Sequence, residues 1–195
     1  MEKTIIINNK DDYKALLNKL KYYKYYKFIN FKIINKIKNK DIEIINNILN
    51  IKNRRKRIIY IYDELVKYLN NYYKEDLCKF KDDKCFVQRN NNNKFGCCAD
   101  CSLVKSGIGC PTANVSCKLV YCKPALKNIK KLKLIDIPYA RCLSIFQRFI
   151  IRFDVFSTRE QIINDLYFGL PCWFLGAVKK GLRLTFKGRI KKLFS

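Results

Sequence analysis

Apolar side chains recur at three- and four-residue steps ahead of Cys78, and that spacing predicts helices. Tyr13, Leu16, Leu17, Leu20, Tyr23 and Tyr26 fall on one face of a stretch predicted to be helical over 11–39, with Lys between them and Asp11 and Asp12 at its start. Ile44, Ile45, Ile48 and Leu49 mark a second periodic stretch opened by Asp41 and Glu43. A third runs from Ile58 to Tyr73, with Ile59, Tyr62, Leu65, Val66 and Leu69 on one side. The basic run Lys52 to Arg57 separates them, so the region reads as three helices, or two with a continuous second one. The β-branched and aromatic residues between Phe28 and Ile37 offer a strand alternative. No Gly or Pro occurs before Gly96 to break the region, and helix is therefore preferred.

The pattern changes between Cys78 and Cys122. This window has Gly96, Gly107, Gly109 and Pro111, and the run Asn90 to Asn93 reads as an exposed loop insertion. Periodicity returns after Lys123-Pro124. Leu126 to Leu134 is short, basic and amphipathic, and Pro138 suits a first helical turn. Leu143, Phe146, Phe149 or Ile150, and Phe153 predict a helix over 139–153. Ser157-Thr158-Arg159-Glu160 reads as a capping box opening a helix from Thr158 to about Phe168. The last stretch, 179–195, alternates basic and apolar residues and reads as a strand pair or a surface helix. The expected fold is mainly α: a basic helical region over 1–77, a loop-rich cysteine metal-binding module over 78–122, and a basic, aromatic-rich, mostly helical region over 123–195.

Charge adds partners to this picture. The chain of 195 residues carries a formal net charge of +25, which favours an acidic partner: nucleic acid, anionic lipid or an acidic protein. Lys outnumbers Arg, and Lys, Asn, Ile, Tyr and Phe share AT-rich codons, so coding bias accounts for part of that charge. The densest basic group, Lys52, Arg54, Arg55, Lys56 and Arg57, is the candidate phosphate-binding site, with Tyr60 and Tyr62 as candidate base-stacking rings. The bland alternative is a solvated helix junction. Trp173 and Phe174, followed by Lys179, Lys180 and Arg183, fit either an anionic membrane interface or a core segment.

The cysteines decide the chemistry. Eight of the ten fall in the order C-x6-C-x11-C-C-x2-C-x8-C-x6-C-x4-C: Cys78, Cys85, Cys97, Cys98, Cys101, Cys110, Cys117 and Cys122. Thiols at this density are oxidised in pairs or hold metal. The first residues show no secretory h-region, and no run of about 20 apolar residues exists to span a bilayer. A cytoplasmic protein with reduced thiols is expected, which favours metal: one or two zinc ions, or an iron–sulfur cluster. Cys98–Cys101 and Cys117–Cys122 are close pairs that present two sulfurs to one ion, and Gly96 and Gly109 each precede a cysteine. Two four-sulfur sites, or one site with spare thiols, both satisfy the spacing. Cys142 and Cys172 stand apart and read as buried thiols.

The segment Gly96-Cys97-Cys98-Ala99-Asp100-Cys101, together with Gly109-Cys110 through Cys122, resembles the cytosolic cysteine-cluster proteins of the YkgJ type, described as zinc or iron chelators. The resemblance spans 96–122 and implies metal chelation. The Cys-Gly-x-Cys-Cys start usual in that family is absent here, as is an Arg-Pro before a late cysteine.

Several chemistries are excluded. With no histidine there is no Ser-His-Asp or Cys-His arrangement and no finger with His ligands. Val104 stands where C-x3-C-x2-C would need its third cysteine, and Gly107 and Gly109 do not complete a phosphate loop. The expectation is a non-catalytic cysteine-cluster protein with a basic surface. A cluster-dependent redox component and a peripheral membrane-surface protein are the alternatives.

Overall fold

The computed structural model describes residues 2–23, 29–73, 81, 84, 89, 114–119, 126, 129–154, 157–176 and 178. It begins with a parallel strand pair. Strand β1 (Glu2–Ile7) and strand β2 (Asn30–Asn35) pair in register from Glu2 with Asn30 to Ile7 with Asn35. Helix α1 (Lys10–Tyr23) lies between them in the chain. Parallel partners cannot be joined by a tight turn, and here α1 lies in the connection. Asn9 caps α1 by accepting from the Asp11 and Asp12 amides at 2.9 and 2.8 Å.

This unit corrects the single helix expected over 11–39. The Ile-rich stretches Ile5–Ile7 and Ile33–Ile34 suit a pleated surface, and their long-range pairing outweighs the absence of Gly and Pro. The turn is made without glycine. Lys38 takes a left-handed φ of 53°, while Asn35 bonds both the amide and the carbonyl of Asn39.

Helix α2 (Lys40–Asn50) then closes the free edge of β2 with side chains. The Asn50 amide donates to the Phe31 carbonyl at 2.6 Å and accepts from the Phe31 N–H at 2.9 Å, and Asn46 accepts from the Ile33 N–H at 3.1 Å. Four helical residues rise about 6 Å and two strand residues about 6.6 Å, so Asn46 and Asn50 match alternate strand residues. The two asparagines stand where a third strand would be, which removes an aggregation-prone edge.

Helix α3 (Arg54–Tyr72) starts at Asn53, whose side chain accepts from the Lys56 N–H. Among the described residues three helices therefore precede the cysteine window, and Ile51–Asn53 separates the last two. Short helix α4 (Val115–Leu119) packs on α3. Two 3-10 segments follow, Leu134–Asp136 and Pro138–Cys142, the second with its proline in the first turn as expected. It packs against α1, α2 and α3, so residues before and after the cysteine window share one core. Tyr139 is buried there and its hydroxyl donates to the Glu64 carbonyl at 2.8 Å.

Leu143 ends the 3-10 turn, and Ser144 caps helix α5 (Ile145–Phe153) through a box with Gln147. The helix expected over 139–153 is shorter, because the 3-10 turn occupies its first residues, and its apolar positions divide between core and surface. Leu143, Ile150 and Ile151 are buried, whereas Phe146, Phe149 and Phe153 are exposed. Helix α6 (Arg159–Phe168) has the expected limits, but its cap is Thr158 with Gln161, one position along from Ser157 and Glu160. Ser157 is instead buried, with its hydroxyl donating to Asp154. Gly169, at φ 93°, ends α6, and a helical segment follows over 170–176. Among the described residues the chain is mostly helical with one small sheet, and no helix is long and apolar enough to cross a membrane.

Candidate metal centre

Cys117 is the one candidate ligand among the described residues, on α4; Cys78, Cys85, Cys97, Cys98, Cys101, Cys110 and Cys122 lie outside them. No group of three or more metal-ligating side chains occurs among the described residues.

Helix α4 has only five residues, too few to be stable alone, and polar bonds fix it in place. Asn114 is buried and works in two directions: its side-chain oxygen accepts from the Cys117 N–H at 2.8 Å, and its nitrogen donates to the Ser157 carbonyl at 2.9 Å. The Val115 N–H donates to the Tyr62 hydroxyl at 3.4 Å. Ser116 is fully buried and donates to the Ile151 carbonyl. Lys118 donates to Asn70 near the end of α3. These contacts hold α4 between α3 and α5 with Cys117 half-buried. Burial pushes the Tyr62 hydroxyl up to about 12, partly opposed by the Val115 N–H, so it stays a neutral acceptor.

The last residues of α3 bond the chain that follows the cysteine window. Tyr73 closes α3, and its hydroxyl accepts from the Leu132 N–H at 3.2 Å. Tyr72 donates to the Lys130 carbonyl at 3.0 Å. Asn70, Tyr72 and Tyr73 thus gather the chain on both sides of the cysteine window. Inside it, Lys81 and Lys84 exchange two backbone hydrogen bonds at 3.0 and 3.1 Å in an isolated antiparallel bridge.

The two outlying cysteines are not close to this point in sequence or chemistry. Cys142 is buried in the 3-10 turn; burial pushes its thiol up to about 12, against the pull of nearby Arg57. Cys172 is half-buried with its sulfur 3.3 Å from an Asp165 oxygen, and burial and that carboxylate both raise its pKa. A thiol held neutral is a poor nucleophile and a poor ligand.

The basic group at 52–57 is divided by the fold. Arg54 and Arg55 lie over the Tyr167 ring at 5.3 and 5.7 Å, and Arg55 donates to Asn164 at 2.9 Å, so the pair docks α6 onto α3. Arg57 is half-buried, and desolvation lowers its pKa. Lys52 reaches the Ile29 carbonyl, and Lys56 is exposed in the first turn of α3. Tyr62 is buried, which removes it as a base-stacking ring, and Tyr60 is half-buried with its hydroxyl accepting from Asn47.

The Asn114–Tyr62–Ser116 network was not singled out from the sequence. Its one local signal is the asparagine directly ahead of a short apolar turn, a helix-start pattern. No protein-family model matches the chain, and no curated protein or solved structure matches it.

Proposed function

We propose that this is a non-catalytic metal-binding protein in which Cys78, Cys85, Cys97, Cys98, Cys101, Cys110, Cys117 and Cys122 hold one or two zinc ions or an iron–sulfur cluster. The metal would shape a module presented by a helical scaffold with a basic surface, in a reducing cytoplasm. The observation that carries this reading is the anchoring of α4. The fold spends a buried polar network on five residues whose one candidate chemistry is Cys117.

Chain connectivity supports it. Cys78 follows Tyr73 by five residues, Cys110 precedes Asn114 by four and Cys122 follows Leu119 by three. Fully extended, those links reach about 18, 14 and 11 Å. Three candidate ligands are thus tethered near anchors that the scaffold already holds. Lys81 and Lys84, between Cys78 and Cys85 in the chain, are already joined by two backbone hydrogen bonds, which lowers the entropy lost if that stretch closes around an ion. The donor set fits soft metals: thiolates without histidine suit zinc or an iron–sulfur cluster and disfavour calcium or magnesium. When bound, such an ion supplies folding free energy to the module.

The test is Cys98→Ser with Cys101→Ser. Metal per chain should fall by at least half while far-UV helicity from α1 to α3 persists. Full metal occupancy in that double variant overturns the assignment. Iron with visible sulfur-to-iron charge transfer in the parent protein would select the cluster over zinc. The exposed Lys52, Arg54 and Lys56 leave room for an acidic partner such as nucleic acid, which salt-dependent binding to a duplex would reveal.

A further inference from the structure

Helix α5 presents an unusual outer face. At about 100° per residue, Arg148, Arg152, Ile145, Phe149, Phe153 and Phe146 follow one another around an arc of about 160°. Ile145, Phe146, Phe149 and Phe153 are 68%, 59%, 44% and 48% exposed, while Ile150 and Ile151 on the other side are buried. The helix has no acidic residue. A surface helix normally turns polar side chains to water, and this one turns phenylalanine and arginine.

The apolar surface continues beyond α5. The Phe149 ring packs against Phe153 at 4.6 Å and edge-on against Trp173 at 5.4 Å. The helical segment carrying Trp173 exposes Phe174 and Leu175 at 62% and 64%, and Val178 follows, also exposed. Contiguous aromatic and aliphatic surface of this kind marks a docking face.

We propose that this face docks on an anionic lipid bilayer. Charge complementarity selects that occupant. Arg148 and Arg152 border the apolar arc, the chain directly after Val178 has seven basic and no acidic residues over 179–195, and the net charge is +25. Phe, Trp and Leu enter the boundary between headgroups and acyl chains, while Arg stems lie along apolar surface and keep their charge among lipid phosphates. The Phe side chains stand on a convex helical ridge. A bilayer accepts a ridge without a matching groove, whereas a protein partner needs one. Binding of this kind combines burial with attraction to anionic headgroups, so it falls with salt.

Trp173 is the chain's single tryptophan, and it sits in the face. The test uses the full chain as purified, with vesicles of phosphatidylcholine alone or with 30% phosphatidylserine. Anionic vesicles should shift Trp173 emission to the blue and bind at least tenfold more tightly than neutral ones, with weaker binding at higher salt. Phe146→Ser with Phe149→Ser should abolish the shift and reduce binding at least tenfold. Phe174→Ser with Leu175→Ser provides a second variant at exposed positions, and unchanged circular dichroism shows that each variant has folded. Sedimentation with anionic vesicles but unchanged emission and no effect of either variant overturns the proposal, because charge alone then suffices. Absence of binding also overturns it. So does a dimer in solution that the same variants dissociate, which makes the face an interface between copies.

Discussion

Asn114 is the side chain on which the anchoring of α4 most depends, and its replacement gives a quantitative test. Asn114→Ala removes two contacts at a buried position: the cap on the Cys117 N–H and the bond to the Ser157 carbonyl. Loss of a helix cap costs about 1 kcal/mol. Removing one partner of a buried hydrogen bond costs about 1–3 kcal/mol, so the sum is roughly 2–4 kcal/mol. Asn114→Ser keeps a capping oxygen but cannot bridge to Ser157, so its cost should be smaller by about the 1 kcal/mol of the cap. Urea titrations followed by circular dichroism measure both, with the slope of the transition unchanged. A loss below about 1 kcal/mol for the alanine variant, or equal losses for both, would refute the reasoning that this side chain acts as cap and bridge together.

Other expectations follow from the same contacts. Asn50→Ala should cost about 2–3 kcal/mol in a urea titration, because both hydrogen bonds to the Phe31 backbone are lost; a loss under about 1 kcal/mol would mean that the edge does not need its asparagine. Burial raises the Cys142 thiol to about 12 from an unfolded value of 9.0, so its contribution to stability is complete below pH 9.0 and is lost as pH rises through about 12. Cys142→Ala should therefore flatten the decline in urea midpoint between pH 9.0 and 12, and an unaltered slope would count against a buried neutral thiol. Arg159 forks both oxygens of Asp63 at 2.9 and 2.7 Å, but the pair is solvent-exposed. A double-mutant cycle should return a coupling below about 1 kcal/mol, and a larger value would show that the pair holds α3 to α6.

Helices α2, α3 and α6 were legible because their contacts follow a local repeat, as Ile45, Ile48, Leu65 and Leu69 show. The strand pair was legible only in part: β-branched residues between Phe28 and Ile37 offered β2 as the alternative to helix, but nothing marked β1. Residues 2–7 and 30–35 stabilise each other across α1, and the outer edge of β2 is closed by Asn46 and Asn50, so no local repeat records it. The turn at Lys38 also lacks the glycine that would have announced it. For α5, counting apolar positions identified a helix but not which side the rest of the chain covers, because Ile150, Ile151 and the three phenylalanines are equally apolar on paper. The proposed cysteine chemistry rests on residue type and spacing alone, which the chain itself carries. Which sulfurs would share an ion depends on three-dimensional proximity that spacing does not encode, above all for the adjacent Cys97 and Cys98.

Metal content under anaerobic purification tests the central claim most directly. Elemental analysis with a visible absorption spectrum on the full chain should give one or two zinc per polypeptide and no colour, or iron with sulfide and a brown chromophore. Folded protein free of metal, or protein whose window cysteines are joined in disulfides as isolated, contradicts the account.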